Sequence, residues 1–224
     1  MYEVMDETAA QVILGLQSGA SIRCVSQRLQ APYETVRQAV NRLEDAGFVE
    51  YDDGLTITDD RVRIAARELL AASAAVNPPT IEEAYVLPQF GDWPVAFTRI
   101  DAVYVWTRGG YQVGRDPEDY PVFLAVREQD IDAWSGFFDS FELPAGFERQ
   151  PRASIDSPVQ FVLEPRSALE IDHVDGYPVI SRAETIDYMR ENYAHFQSAL
   201  SMVDRLYEDL DLDVAYRETE RVQP

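Results

Sequence analysis

Apolar residues recur at spacings of three and four through most of the first eighty positions, the period of half-buried helices. Residues 6–18, DETAAQVILGLQS, bring Ala9, Val12, Ile13 and Leu16 to one face, and Gly19 closes that helix. SIRCVSQRLQ does the same with Ile22, Val25 and Leu29 before Ala31 and Pro32 interrupt it. Pro32 fits the first turn of a new helix, where its missing N–H costs nothing; Val36, Val40 and Leu43 form its stripe and Gly47 ends it. The pattern then changes to alternation. Phe48–Tyr51 and Leu55–Thr58 read as short strands, joined through the turn residues Asp52, Asp53 and Gly54. Residues 59–75, DDRVRIAARELLAASAA, are helical again, and Asn77, Pro78 and Pro79 stop them.

The second half mixes periods. Ala102–Thr107 (AVYVWT), Pro121–Val126, Val159–Leu163 and Tyr177–Ile180 read as strands, with Gly109, Gly110 and Gly114 as hairpin-turn glycines and Asp175-Gly176 as a second turn. Glu128–Phe141 reads as an amphipathic helix burying Ile131, Trp134, Phe137 and Phe138. Ser181 and Glu184 have the spacing of a capping box, and beyond them Ile186, Met189, Tyr193, Phe196, Leu200, Val203, Tyr207 and Leu210 alternate at three and four. That heptad seam predicts a continuous rod of about 40 Å, the best candidate for a contact between two copies; packing on the chain's own sheet is the competing use. The expected fold class is α+β: an N-terminal winged helix-turn-helix over 1–76, a small mixed sheet domain over 80–180, a long helix over 181–210 and a polar tail over 211–224.

Two helices joined by a turn of about three residues, the second with a polar outer row, form the unit that enters a DNA major groove. Together with the hairpin, the run RLEDAGFVEYDDGLTIT resembles winged-helix transcription regulators of the MarR-like and TrmB-like kind, over roughly residues 6–70. The resemblance implies sequence-specific binding of double-stranded DNA, by a homodimer. The residues outside the apolar stripe are the candidate readers: Tyr33, Thr35, Arg37, Gln38 and Asn41, with Gln38 and Asn41 suited to adenine and Arg37 to guanine. Arg42, Arg23 and Arg28 are candidates for phosphates. The bland alternative is a solvated helix face. One feature departs from the family pattern: Glu50, Asp52, Asp53, Asp59 and Asp60 crowd the hairpin, where DNA-inserting wings carry basic residues. Arg61, Arg63 and Arg67 follow, able to reach a phosphate backbone or to pair with acids.

Charge sharpens this picture. Forty Asp and Glu face nineteen basic residues, all of them Arg, for a net charge of −21. The composition is similar to that of proteins from salt-accumulating halophilic archaea. At about 1 M salt the Debye length is roughly 3 Å, so such a charge barely repels DNA, and counterion release adds little affinity. Residues 1–80 hold seven Arg and twelve acids, net −5; residues 81–224 hold twelve and twenty-eight, net −16. The second half is therefore not expected to touch nucleic acid.

Other classes are disfavoured. Without Lys there is no phosphate-loop lysine, Schiff base or kinase ion pair. Asp130 and Asp132 have the D-x-D spacing of a metal-binding pair, but acids at a helix start have an electrostatic reason to be there. His173 and His195 lack spaced partners and read as surface residues; Cys24, beside Val25, reads as a small core residue. No enzyme, cofactor or metal is expected. With no long apolar run and no signal-peptide pattern in MYEVMDETAA, a soluble cytoplasmic protein is expected, without membrane contact.

A second stretch, LEIDHVDGYPVISRAETIDYM (169–189), resembles the strand, Gly-x-Pro-Val, Ser-x-x-x-Thr, helix segment of AbiEi-type antitoxins through Gly176, Pro178, Val179, Ser181 and Thr185. That family also begins with a winged helix, and the resemblance implies an autoregulating antitoxin opposing a nucleotidyltransferase-like toxin. The leading expectation is a homodimeric repressor whose C-terminal domain senses a small-molecule effector or holds a protein partner; the antitoxin is the alternative.

Overall fold

The chain, a computed structural model, is described over residues 4–17, 19–112, 115–150, 157–212 and 214. It begins with helices α1 (Glu7–Gly15), α2 (Ile22–Arg28) and α3 (Tyr33–Asp45), a hairpin of β1 (Val49–Tyr51) and β2 (Leu55–Ile57), and helix α4 (Asp60–Val76). Side chains fix three of the helix starts. Asp6 accepts the N–H of Ala9 at 2.7 Å, Ser21 that of Cys24 at 3.2 Å and Asp59 that of Arg61 at 2.9 Å, each cap contributing about 1 kcal/mol. Pro32 stands just before α3 rather than inside it, and Gly47, at φ +74°, ends that helix in the left-handed conformation glycine tolerates. The hairpin pairs Val49 with Ile57 and Tyr51 with Leu55, and Ala20 adds a bridge to Leu55.

Helix α5 (Ile81–Val86) and a 3-10 turn (Leu87–Phe90) lead into the second half. Thr80 opens α5 with a full capping box, since its hydroxyl accepts from Glu83 N–H while the Glu83 carboxylate accepts from Thr80 N–H. Then come β3 (Val95–Phe97), α6 (Arg99–Trp106), β4 (Tyr120–Arg127), α7 (Ile131–Asp139), β5 (Ala145–Gly146), β6 (Val159–Arg166), β7 (Asp172–Val174), β8 (Tyr177–Val179), α8 (Arg182–Glu191) and α9 (Tyr193–Leu206). The six strands form one mixed sheet in the order β5-β6-β4-β3-β8-β7. Val122 pairs with Phe161 and Leu124 with both Leu163 and Phe97, so these side chains share a face. There Phe138 of α7 stacks on Phe161 at 3.9 Å and Tyr85 of α5 lies 5.1 Å from Phe97. The architecture is α+β.

Three expectations fail. Ala102–Thr107 is not a strand but most of α6: its β-branched and aromatic residues favour strands in isolation, yet Ala102, Val103, Val105 and Trp106 are all buried, and a segment apolar on nearly every side carries no period. Gly109 and Gly110 accordingly close a helix instead of turning a hairpin, and Gly114 lies outside the described residues. The continuous terminal rod does not form either. Asn192, at φ −113° and ψ 38°, separates α8 from α9, and Ile186, Met189, Phe196, Leu200 and Val203 are buried in the core, leaving Tyr193 exposed. The stripe expected to join two copies packs into the chain's own core, with α8 against α6. The predicted tail falls mostly outside the described residues.

Residues 77–79 mark a change of architecture but not a gap in packing, because one cluster of buried side chains runs through both halves. Arg63 and Arg67 of α4 both pair with Asp92, at 2.9 and 2.6 Å, and Gln89 donates to the Arg28 carbonyl at 2.9 Å. At the β7–β8 turn Gln30 donates to the Asp175 carbonyl at 2.7 Å, and Gly176 presses so closely that a Cβ added to it would lie 2.4 Å from the Gln27 carbonyl oxygen. Among the described residues no helix is long and apolar enough to cross a membrane.

Candidate nucleic-acid interface

Helix α3 has two chemically distinct sides. Val36, Ala39, Val40 and Leu43 are within 1% of full burial and fix the helix on α1 and α2. At 100° per residue the positions between them must face out. Tyr33, half exposed, Thr35, Arg37, Gln38, Asn41 and Arg42 do so, and Thr35, Gln38, Asn41 and Arg42 line a shallow depression with Thr8 of α1.

Several of these groups are engaged within the chain. Arg37 forks onto Glu34 through Nε at 2.9 Å and Nη2 at 2.5 Å, and Gln38 donates to the same carboxylate at 3.4 Å. The Arg37 guanidinium holds the Glu34 carboxyl below its ordinary value, and Glu34 raises Arg37 in return. Arg42 reaches Asp6 at 2.9 Å. Burial alone would push the Asp6 carboxyl up, but the Ala9 N–H and Arg42 outweigh it and leave it below the ordinary value. Both pairs are exposed ion pairs that a phosphate or base edge can displace at little cost. Asn41 has no partner among the described residues.

Arg23 and Arg28 part company. Arg23 is exposed and makes no ion pair with a described residue. Arg28 is half-buried and donates to the Gly15 carbonyl at 2.8 Å, a structural tie that joins α2 to α1. Arg61 pairs with Asp59, whose carboxyl is held at about 2 by Arg61 hydrogen bonds, while Arg63 and Arg67 hold Asp92. Arg63 and Arg67 are therefore committed to the sheet half, while Arg61 pairs with Asp59 and stays exposed. Glu50, Tyr51, Asp52 and Asp53 are exposed, so the hairpin presents acids and one tyrosine.

The other candidate residues resolve plainly. Cys24 is exposed, correcting its assignment to the core: it lies opposite the Ile22–Val25–Leu29 stripe, and the Ser21 hydroxyl donating to Sγ at 3.3 Å holds its thiol below the ordinary value. Asp130 stands at the N-cap position of α7 without making a side-chain cap; its buried Oδ2 has no partner, and Asp132 is exposed. No cluster of three metal-ligating residues occurs among the described residues. His173 and His195 are exposed, and partial burial followed by Arg28 lowers the His173 pKa. In the 169–189 stretch each matched residue has a folding role: Gly176 abuts Gln27, Pro178 and Val179 are buried, Ser181 accepts the Glu184 N–H, and the Thr185 hydroxyl donates to the Ser181 carbonyl.

One group of buried polar residues has no precursor in the sequence reading. Asp101 is fully buried in α6 and accepts from the Tyr85 hydroxyl at 2.5 Å, Arg115 Nη1 at 2.7 Å and the Phe123 N–H at 2.7 Å. Tyr120 lies 3.0 Å from the Tyr85 hydroxyl and under the Arg115 guanidinium. Burial pushes Asp101 and Tyr85 up from their ordinary values, with Arg115 opposing both. The charge-bearing atoms face one another inside the protein, so the cluster ties α5, α6 and β4 together. The only signal in the sequence is an acid inside the apolar run IDAVYVW.

Compared with protein-family models, with curated proteins and with solved structures, the chain matches none.

Proposed function

We propose that residues 4–76 are a winged helix-turn-helix, that α3 is its recognition helix, and that the protein is a sequence-specific DNA-binding transcription regulator acting as a repressor by occupying its site. The observation that carries this reading is the α3 outer row: Thr35, Arg37, Gln38 and Asn41 stay exposed on a helix whose opposite face is locked into the core. Arg37 exchanges Glu34 for a guanine edge, Gln38 and Asn41 read adenine, and Arg42 and Arg23 take phosphates. The acidic hairpin stays off the backbone, which leaves discrimination to α3. Two copies reading half-sites about 10 bp apart, or a multiple, complete the proposal; with the terminal stripe internal, their contact lies elsewhere on the surface. The arginine-only acidic composition supports operation in concentrated salt, inside a cell.

The test is selection from a random duplex library with the full chain, at salt from about 0.1 to 3 M, a range over which the Debye length falls from ~10 Å to below ~3 Å. Enrichment of a twofold-symmetric motif is the expected result. A library left unenriched at every salt concentration overturns the regulator and puts a protein partner, as in an antitoxin, in its place.

A further inference from the structure

A crevice of ≈ 220 Å³ opens where the helical half meets the sheet half. Its floor is apolar, made by Leu70 of α4, Leu87 and Phe90 of the 3-10 turn, and Phe141 beyond α7, all nearly fully buried. Its rim carries polar residues, Glu7, Gln11, Ser73 and Asn77. None of these four side chains has a hydrogen-bond or ion-pair partner among the described residues. The contrast with the surroundings is informative. Asp6, one residue before Glu7, holds Ala9 and Arg42, Asp92 holds Arg63 and Arg67, and Glu83 on the same rim holds both polar groups of Thr80. An apolar hollow with a few unengaged polar residues, at a junction between two halves, is a usual form of a small-molecule site.

The lining also selects the ligand. It contains two carboxylates and no Arg, so an anion meets repulsion without compensation. The apolar floor takes a ring, and Glu7 offers a cation a charge partner. A cavity of about 150 Å³ holds a benzene ring, so the crevice holds a ring with a short chain. We propose that this crevice binds a small hydrophobic cation, one aromatic ring bearing a single ammonium group, with the ring on the apolar floor and the ammonium at Glu7. Such an occupant touches α1 and α4 of the helical half together with the α5 region of the sheet half, and so bears on how the two are held. Its consequence for DNA rests on the regulator reading; the binding does not.

The experiment titrates the full chain with benzylamine, benzyl alcohol and benzoate at one fixed salt concentration, by calorimetry and by methyl chemical shifts. Benzylamine should bind about tenfold more tightly than benzyl alcohol, and benzoate not at all. Glu7→Gln should abolish the preference for the amine, and Ser73→Phe, which fills the mouth, should abolish binding of both. Failure of benzylamine to bind at millimolar concentration, or benzoate binding as well as benzylamine, overturns the site whatever the chain does with DNA. If Ser73→Phe does not fold, Glu7→Gln decides alone: a preference for the amine that survives it overturns the assignment. Glu7-dependent binding that leaves affinity for the selected duplex unchanged supports the site and overturns its regulatory role.

Discussion

Asp101→Asn keeps the shape of the side chain and removes its charge, which makes it the sharpest probe of what holds the sheet half together. Asp101 is fully buried and the Arg115 side chain is only 10% exposed, so the substitution leaves a guanidinium facing no countercharge. It also replaces an acceptor by a donor next to either the Phe123 N–H or the Tyr85 and Arg115 donors. Removing one partner of a buried pair costs about 3–5 kcal/mol, against a total stability of about 5–15 kcal/mol. With a urea m-value of ~2.5 kcal/mol/M, the unfolding midpoint should fall by about 1.2–2 M. The stranded guanidinium is the main cost, so Asp101→Asn with Arg115→Met, which removes that charge and keeps an acceptor for the buried donors of Asp101, should be more stable than Asp101→Asn alone. Urea unfolding at fixed ionic strength measures both. A midpoint within about 0.3 M of the parent, or a double variant no better than the single one, would refute the claim that Arg115 depends on Asp101.

Three further outcomes follow from the same structure. Gly176→Ala combines an alanine at φ +92° with a Cβ 2.4 Å from the Gln27 carbonyl oxygen, and should lose about 2–4 kcal/mol with faster amide exchange over 27–31; a change below about 0.5 kcal/mol would mean the β7–β8 turn does not press on the end of α2. Burial raises the Asp92 carboxyl, but Arg67 and Arg63 outweigh it and hold it below the ordinary 3.8; its contribution is therefore complete above 3.8 and lost as the pH falls through the lowered value, so acid unfolding of Asp92→Asn should show a weaker pH dependence below 3.8 than the parent, and an identical profile would contradict the clamp. Arg23, Arg37 and Arg42 are the exposed basic groups on α2 and α3, so counterion release is limited to about three phosphates per copy; a plot of log affinity against log salt should have a slope no steeper than about −2.7 per copy, and a markedly steeper one would show that other arginines reach the backbone.

The helical half is largely legible because each of its elements has a clear period and a marked end. Asp6, Ser21 and Asp59 announce helix starts, Gly47 announces a stop, and Asp52–Gly54 can hardly be anything but a turn. Segment 98–107 is not legible, since burial on most sides erases the period that separates helix from strand. Nor is the break at Asn192, which carries neither Pro nor Gly and interrupts a heptad pattern that reads cleanly through it. The outer row of α3 follows from its stripe, and the i,i+3 spacing of Glu34 and Arg37 signals their pairing in advance. The Cys24 exposure is equally readable from its position opposite the α2 stripe. The attachments of Arg63 and Arg67 to Asp92 are different: they join residues 25 to 29 positions apart and depend on how the two halves dock. The Asp101 cluster likewise assembles Tyr85, Arg115 and Tyr120 from separate elements, and no local pattern brings them together.

The central claim is that α3 reads sequence, and it is tested most directly by the discrimination of Arg37→Ala/Gln38→Ala between a selected duplex and a scrambled one, measured by fluorescence anisotropy at fixed salt. These exposed residues carry no core contact, so the variant should fold as the parent does while discrimination falls by about tenfold or more, the worth of at least one good base contact. A correctly folded variant that discriminates as well as the parent would contradict the account and remove α3 as the reader.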